Sequence, residues 1–490
     1  MPAKVSAVAA SASASASASA STSASTSTST LVPTPASGTL GAPIPQVHKR
    51  LAPSDLTREV DAPEPRAASA SGDEGASPGA PSLAMAKAVQ LAVQQHPTIA
   101  DAVATLAQQT AGVDYARAGY YPQVRVGMGT GTSNGRSGSS SMLAQASASQ
   151  MLYDFGKVDS QVHRSQALVR RQQAIVLRQI DLVARQAAEA ALMVHRYQAL
   201  TEIAGGQVDA VDSVLELAQL RAKAGLSTRA DPIQAQARAQ GAHAYLGQMK
   251  AELAQWRQKL RTLVGSEGAR RIEVLPGLKH ATLWMAADPE FRLLPDVLLA
   301  QAERQAAKAQ LATSRASRFP TITLDASGNK AIRGVNPSTS ERNGIYHSLN
   351  VNVSVPLYQG GALDAQIRAA AAEEIAAGER IEAAVLLAGD QARAWREMAL
   401  GAQGRLADVE SRRKSILSVR DLYREQYQLG TRSVLDLLNA EQEIHQAEAE
   451  AQALVHDLWQ YRLEFIAATG RLREFFSLNN TLVQGMELLP

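Results

Sequence analysis

The amino-acid sequence predicts a mainly α-helical fold with a small β part, built from a strand–strand–long-helix unit that occurs twice. Prolines and glycines recur at constant offsets along the 490 residues. Two proline-free stretches, 156–225 and 361–430, carry apolar residues at helical spacing. The short segments before these stretches alternate apolar and polar residues, which is the pattern of strands with one apolar face.

The duplication is marked by residues that end helices and strands. Two prolines recur with a shift of 198 residues, namely Pro97 and Pro122 at Pro295 and Pro320. Three glycines and one aspartate recur with a shift of 205, namely Gly156, Gly225, Asp231 and Gly265 at Gly361, Gly430, Asp436 and Gly470. Seven extra residues therefore fall between Pro320 and Gly361, where a surface loop accommodates an insertion at little cost.

Each copy starts with a helix, predicted at 97–118 and 295–317, that leads into a pair of strands. The apolar positions of the first strands are Val124, Val126 and Met128 in one copy and Ile322 and Leu324 in the other. The returning strand of the second copy alternates Leu349, Val351, Val353 and Val355 with Asn350, Asn352 and Ser354. A helix of roughly 100 Å follows, and then a second helix at about 231–265 or 435–470.

These elements define five predicted segments of the chain. Residues 1–82 form a leader rich in Ala, Ser and Pro, which cannot bury enough apolar surface to fold. Its start resembles a degenerate export signal, and a wrongly assigned start codon is the alternative. Residues 83–270 form the first repeat, 271–294 a connector, 295–472 the second repeat, and 473–490 a C-terminal tail.

Composition excludes several classes of protein. The net charge of +3 is too small, for this length, to indicate binding of nucleic acid through counterion release. Without cysteine, the chain has no disulfide, no thiolate chemistry and no Cys-ligated zinc. No nucleophile–base–acid arrangement is present, and Glu441 with His445 is predicted to be a solvated helix pair rather than a metal site. We therefore expect no enzyme activity, no cofactor and no bound metal.

The strands give the strongest constraint on assembly. Four strands with one apolar and one polar face cannot close a barrel alone, whereas strands pooled from several chains could, and closure removes every sheet edge. Seven aromatic residues flank these strands, namely Tyr120, Tyr121, Tyr153, Phe155, Phe319, Tyr346 and Tyr358. Rings at strand ends are typical of the girdles that lie at membrane interfaces. The alternative is that they only cap the junction between helices and sheet.

The duplicated unit resembles the TolC family of outer-membrane efflux and secretion channels. The resemblance rests on three segments, namely Leu152-Tyr153-Asp154-Phe155-Gly156, Pro356-Leu357-Tyr358-Gln359-Gly360-Gly361 and the stretch from Gly430 to Asn439. It implies a homotrimer with a twelve-stranded β-barrel in the outer membrane, continuous with an α-helical barrel in the periplasm. In such a barrel Val351, Val353 and Val355 face lipid. The departures from the family are the leader and Asn439, where many members carry a second Asp.

The two turns that join each long helix to its successor are the candidate polar site. Asp231 precedes Pro232 and is predicted to cap a helix, whereas Thr431 or Ser433 is the expected cap near Asp436. The resemblance implies that Asp436, with Asn439 one turn later, lines the constriction of a closed periplasmic entrance. It also implies that Tyr427 and Arg432 latch this turn to the neighbouring helix pair near Asp231. The alternative is a capped turn without a gate.

The resemblance further implies a passive duct that docks through a periplasmic adaptor to an inner-membrane ABC exporter or proton-driven pump. The 430–439 segment looks like that of members that export repeats-in-toxin proteins, such as cyclolysin, or adhesins, so type I secretion is the expected role. The absence of a lipobox cysteine disfavours the lipoprotein branch of drug-efflux channels. Multidrug efflux with an RND-type pump is the alternative, and a non-membrane coiled-coil scaffold is the alternative from another class.

Overall fold

The computed structural model describes residues 83–132, 140–266, 271–274, 276–279, 291–479 and 481–488. The predicted leader, 1–82, lies outside these residues, as does half of the predicted connector, namely 275 and 280–290. The helices are α1 (Met85–Gln95), α2 (Pro97–Arg117), α3 (Lys157–Lys223), α4 (Ala230–Val264), α5 (Pro276–Lys279), α6 (Pro295–Ala316), α7 (Ala362–Gln428), α8 (Val434–Ala468) and α9 (Leu472–Phe475). The strands are β1 (Leu83–Ala84), β2 (Gln123–Thr132), β3 (Ser140–Tyr153), β4 (Ile272–Glu273), β5 (Thr321–Arg333), β6 (Ile345–Ser354), β7 (Leu482–Val483) and β8 (Met486–Glu487).

The element bounds confirm the duplication. Helices α3 and α7 are both 67 residues long, and α4 and α8 are both 35 residues long. Strands β2 and β5 begin 198 residues apart, at Gln123 and Thr321, and β3 and β6 begin 205 residues apart, at Ser140 and Ile345. The extra residues therefore lie within the β5–β6 hairpin, as predicted.

Local chemistry explains where the long helices begin. Gly156 and Gly361, the residues just before α3 and α7, both adopt left-handed backbone conformations, with φ of +86° and +81°. In the first copy Asp154 accepts hydrogen bonds from the main-chain nitrogens of Gly156 and Val158, at 3.0 and 2.6 Å. Because the first amides of a helix lack partners within it, the Asp154 carboxylate stabilises the start of α3.

The four main strands form one antiparallel sheet in the order β2-β3-β5-β6. Its register brings the apolar positions of neighbouring strands together: Val353 pairs with Ile322, and Val351 pairs with Leu324. The polar positions share the other face, where Ser149 donates a 2.5 Å hydrogen bond to Asp325. The exposed apolar side chains of the sheet include Val124, Val126, Met128, Leu349, Val351 and Val353. A single chain therefore leaves this apolar face uncovered, together with the outer edges of β2 and β6.

The main core is rich in alanine and lies around α3. Ala184, Ala187, Ala188, Ala190 and Ala191 are fully buried there. Helix α3 packs against α2 and α4 of its own copy and against α6 and α8 of the second copy. Within the described residues, none of the helices is both long enough and apolar enough to cross a membrane.

The prediction that Glu441 and His445 form a solvated pair is wrong. Glu441 is fully buried, and Nη1 of Arg420, from α7, lies 3.5 Å from its carboxylate. His445 has a side chain only 12% exposed and lies 3.3 Å from Glu448. Helix α7 of the same copy thus contacts Glu441, whereas His445 lies beside Gly206 of α3. Helical periodicity alone does not show which neighbouring helix will cover a given face.

We expect Arg420→Met to lower the free energy of unfolding by about 3 kcal/mol, because it leaves the buried Glu441 carboxylate without its countercharge. Adding Glu441→Leu should restore most of the loss, since the unpaired charge is then removed. Urea titrations followed by helical circular dichroism measure both effects, with Arg424→Met on the same helix as the control. Equal midpoints for Arg420→Met and the control would contradict this account.

Candidate functional site: the helix-hairpin turns

Two equivalent turns, 224–229 and 429–433, join the long helices to their successors. Both contain a left-handed glycine, Gly225 with φ of +73° and Gly430 with φ of +81°. In each turn the residue after the glycine donates to the carbonyl five residues earlier, from Leu226 to Arg221 at 2.8 Å and from Thr431 to Gln426 at 3.0 Å. This is the Schellman ending of a helix, and it directs the chain back along the helix just completed.

Helix α8 begins with a side-chain cap that fixes the position of Asp436. The Ser433 hydroxyl accepts a 3.2 Å hydrogen bond from the Asp436 amide, which confirms the expected cap. The same hydroxyl donates to the Asp436 carboxylate at 2.9 Å, and Arg432 Nη1 lies 3.7 Å from that carboxylate. The Asp436 side chain is nevertheless 42% exposed. The first turn of α8 therefore carries a partly exposed carboxylate that Ser433 and Arg432 contact.

The predicted capping role of Asp231 is wrong. Helix α4 begins at Ala230, so Asp231 lies inside its first turn, and the position before the helix is Arg229. The Asp231 carboxylate instead accepts a 2.8 Å hydrogen bond from the hydroxyl of Thr228. Pro232 tolerates any position in the first turn, because the amides there have no helical partner. Proline therefore did not identify which of the neighbouring residues starts the helix.

Tyr427 lies at the centre of a small apolar cluster beneath the two turns. Its side chain is buried among Val211, Val214, Ala235 and Leu438. Among the described residues, its hydroxyl has no hydrogen-bond partner. Burial raises the pKa of this hydroxyl, Arg221 opposes the shift, and Asp231 adds to it. The structure therefore brings Tyr427 close to Asp231 without joining them by a hydrogen bond.

Arg432 makes its contacts within its own hairpin. The guanidinium stacks on the ring of Tyr423, 4.2 Å from the ring centroid, and donates to Gln426 Oε1 at 3.1 Å. The predicted latch from Arg432 to the Asp231 turn is thus not a contact of the single chain, and it stays a prediction for an assembled oligomer.

Two arginines of the site were missed by the sequence analysis. Arg238 of α4 donates to Asn439 Oδ1 at 3.1 Å and to Gln442 Oε1 at 2.6 Å, so Asn439 is held by the first repeat. Arg221 of α3 contacts the last turn of α7. Neither arginine belongs to a recognisable local motif, because each reaches a residue about 200 positions away.

The residues predicted to contact lipid lie at the other end of the long helices. Val351 and Val353 are exposed on the apolar face of β6, whereas Val355 lies just beyond the strand and is also exposed. The Phe155 ring packs against Tyr153 and Phe319, with centroids 4.7 and 5.2 Å apart. Tyr121 and Tyr358 are exposed nearby, at the strand ends joined to helices, whereas Tyr346 lies in β6 at the opposite end of the sheet.

The chemistry of the turns is electrostatic. Exposed carboxylates and guanidiniums lie beside main-chain groups that are already hydrogen bonded, an arrangement that can attract or repel ions. Among the described residues, no three potential metal ligands of the His, Cys, Asp or Glu type cluster.

Comparison with known proteins identifies the architecture. The sequence profile described as "Outer membrane efflux protein" matches residues 88–266 and 294–471, one segment for each repeat. Protein CyaE of Bordetella pertussis is 27% identical over 424 residues, which cover 80% of this chain and 84% of that protein. The outer membrane efflux protein BepC of Brucella suis is 25% identical over 341 residues, which cover 66% of this chain and 71% of that protein.

Solved structures share the fold. The outer-membrane channel OprN superposes with a TM-score of 0.68 at 20% identity, covering 79% of this chain and 89% of that one. The outer membrane protein VceC of Vibrio cholerae also has a TM-score of 0.68 at 20% identity, covering 79% of this chain and 96% of that one. The profile match to both repeats decides against a non-membrane scaffold and against an enzyme. The chain belongs to the outer membrane efflux protein family and is an export channel of the outer membrane that extends into the periplasm.

Proposed function

We propose that three copies of this chain form the exit duct of a type I secretion machine that exports a protein toxin or adhesin. A periplasmic adaptor would connect the duct to an inner-membrane ABC exporter, which supplies the energy. The observation that supports an assembly of three copies is the uncovered apolar face of the four-stranded sheet. Twelve strands from three copies would close into a barrel, bury the edges of β2 and β6, and place the apolar face against lipid.

At the periplasmic end, the proposed constriction is a ring of Asp436 carboxylates, one from each copy. The support is the position of Asp436 in the first turn of α8, where the Ser433 cap holds it and its side chain stays partly exposed. Asn439 would add no charge to this ring, and Arg238 holds its amide. Tyr427 and Arg432 would latch the closed hairpins to the neighbouring helix pair near Asp231.

A second candidate role is drug efflux with a proton-driven RND-type pump. It is favoured by BepC, a relative whose name describes it as an efflux protein. Deleting the gene distinguishes the two roles. If the role is type I secretion, one or a few large proteins should disappear from the culture medium, and drug susceptibility should stay unchanged. Increased drug susceptibility with an unchanged secreted-protein profile would instead support the efflux role and contradict our proposal.

The two faces of β6 should respond differently to charge. We expect Val353→Arg to destabilise the assembled channel by about 2–4 kcal/mol, because arginine would lie against lipid near the bilayer midplane. Asn352→Arg, one residue earlier, should leave the trimer intact and change its conductance, because that side chain would face the lumen. Mass measurement in detergent, which should give three chains, and single-channel recording check the pair. Equal effects at the two positions would exclude the proposed barrel.

Multivalent cations should block the channel from the periplasmic side. Three Asp436 carboxylates held close together create a negative potential that attracts cations. We expect Asp436→Ala to raise the cation concentration needed for half-block, whereas Asp421→Ala, an exposed aspartate on α7, should leave it unchanged. Single-channel recording with added divalent and trivalent cations measures both values. Unchanged block in Asp436→Ala would mean that the constriction lies elsewhere.

A further inference from the structure

Arg221, in the last turn of α3, bridges the two repeats at their turns. Its guanidinium lies over the Tyr427 ring, 5.1 Å from the ring centroid. Its Nη1 donates a 2.9 Å hydrogen bond to the main-chain oxygen of Gln428. Both partners belong to the C-terminal end of α7. One side chain of the first repeat therefore holds the end of the long helix of the second.

The end of α7 is a favourable place for a guanidinium. The last carbonyls of a helix have no partner within it, and they carry the partial negative charge of the helix dipole. The face of an aromatic ring attracts a cation within about 6 Å of its centroid. Nε of Arg221 is buried from solvent, so these attractions are screened less than they would be at an open surface.

Gly430 provides the space that this contact needs. A Cβ built on Gly430 would lie 3.3 Å from Nη2 of Arg221, tighter than ordinary van der Waals contact. The equivalent glycine of the first repeat, Gly225, has a similar φ but nothing within 4 Å of a built Cβ. The two turns therefore share a backbone conformation and differ in whether an arginine lies against them.

The position of Arg221 relates it to the proposed constriction. Elsewhere α3 packs on the second repeat mainly through α6 and α8, whereas Arg221 reaches the last turn of α7. The chain that leaves this turn carries Ser433 and Asp436 into α8. Moving the α7–α8 hairpin away from α3 would break the bond between Arg221 and Gln428.

We propose that Arg221 is a positioning residue of the entrance, a clamp within each subunit that holds the α7–α8 hairpin, and with it Asp436, in the closed position. This inference rests on the proposed function, in which Asp436 forms the constriction. The clamp differs from the latch in its partners: it uses the tyrosine ring and a main-chain oxygen of the same chain, and it uses neither the tyrosine hydroxyl nor Asp231.

The first experiment compares Arg221→Met with Lys223→Met in single-channel recordings. The two substitutions remove the same charge from the same helix end, but Lys223 is exposed. A hydrogen bond from a charged group contributes at least about 1.5 kcal/mol, so Arg221→Met should raise the open-to-closed ratio about ten-fold or more. Lys223→Met should keep the wild-type ratio. Arg221→Lys, which keeps the charge without the planar fork, should give an intermediate ratio.

Double variants separate the clamp from the latch. With Arg221 present, Tyr427→Leu should open the channel more than Tyr427→Phe, because only the first removes the ring. In an Arg221→Met channel that difference should vanish, because the contact of the ring with Arg221 is already lost. The latch variant Tyr427→Phe with Arg432→Ser keeps the ring, so its effect should add fully to that of Arg221→Met. An equal difference between Tyr427→Leu and Tyr427→Phe with and without Arg221 would contradict the clamp.

The glycine pair offers a test that leaves Arg221 in place. Gly225→Ala and Gly430→Ala introduce a similar backbone strain, but only the second pushes against Arg221. We expect Gly430→Ala to increase opening more than Gly225→Ala. Equal opening of these two variants would overturn the clamp.

The outcomes distinguish this inference from the proposed function. Trimer mass in detergent first confirms that each variant assembles, and Arg221→Lys serves if Arg221→Met does not. If Arg221→Met opens no more than Lys223→Met in a channel whose cation block still depends on Asp436, the clamp is wrong and the constriction stands. If Asp436→Ala keeps the wild-type block, the constriction itself is wrong, whatever Arg221 does.

Discussion

Close packing around α3 is the constraint on which the rest of the structure depends. This helix contacts both neighbours in its own repeat and two helices of the other repeat. Alanine is the commonest of its buried residues, and small side chains let helices approach closely on several sides at once. The sheet adjoins α3 directly through β3, and the turns continue from its C-terminal end. Any change in how α3 packs would therefore move both the apolar face and the proposed entrance.

Alanine allows helices to pack closely but does little to fix their register. Polar pairs between the helices fix it instead. Between α3 and α8, Arg196 lies 2.6 Å from Asp457, and Arg185 lies 3.4 Å from Glu464. Next to the first of these pairs, ring nitrogens of His195 and His456 are 2.8 Å apart. Burial lowers the pKa of His456 to about 4, so the His456 ring is uncharged at neutral pH. These contacts form an antiparallel ladder in which sliding by one helical turn would separate every partner. Buried polar groups that fix the register of coiled coils work in the same way.

Much of the fold follows from local chemistry, which is why sequence reasoning reached it. Proline and left-handed glycine mark where helices start and end, so Pro97, Gly156 and Gly225 located the elements to within a residue or two. Alternating apolar and polar residues predicted the strands, because this pattern too depends only on neighbouring residues. Contacts between residues about 200 positions apart produce no local sequence pattern from which they could be predicted. The position of His445 beside Gly206 of α3 and the reach of Arg221 depend on which face of one repeat meets the other, and no local sequence pattern shows this.

The equal length of α3 and α7 constrains how this gene can change. Each inserted residue advances a helix end by about 1.5 Å and rotates it by about 100°. A single deletion in α3 would therefore turn Arg221 away from the end of α7, even though Arg221 and its partners Tyr427 and Gln428 were all retained. Tolerated insertions should concentrate in the β5–β6 hairpin, where the extra residues already lie. Insertions or deletions within the long helices would be tolerated only if both copies changed by the same length, or if the change in length were close to a whole number of helical turns.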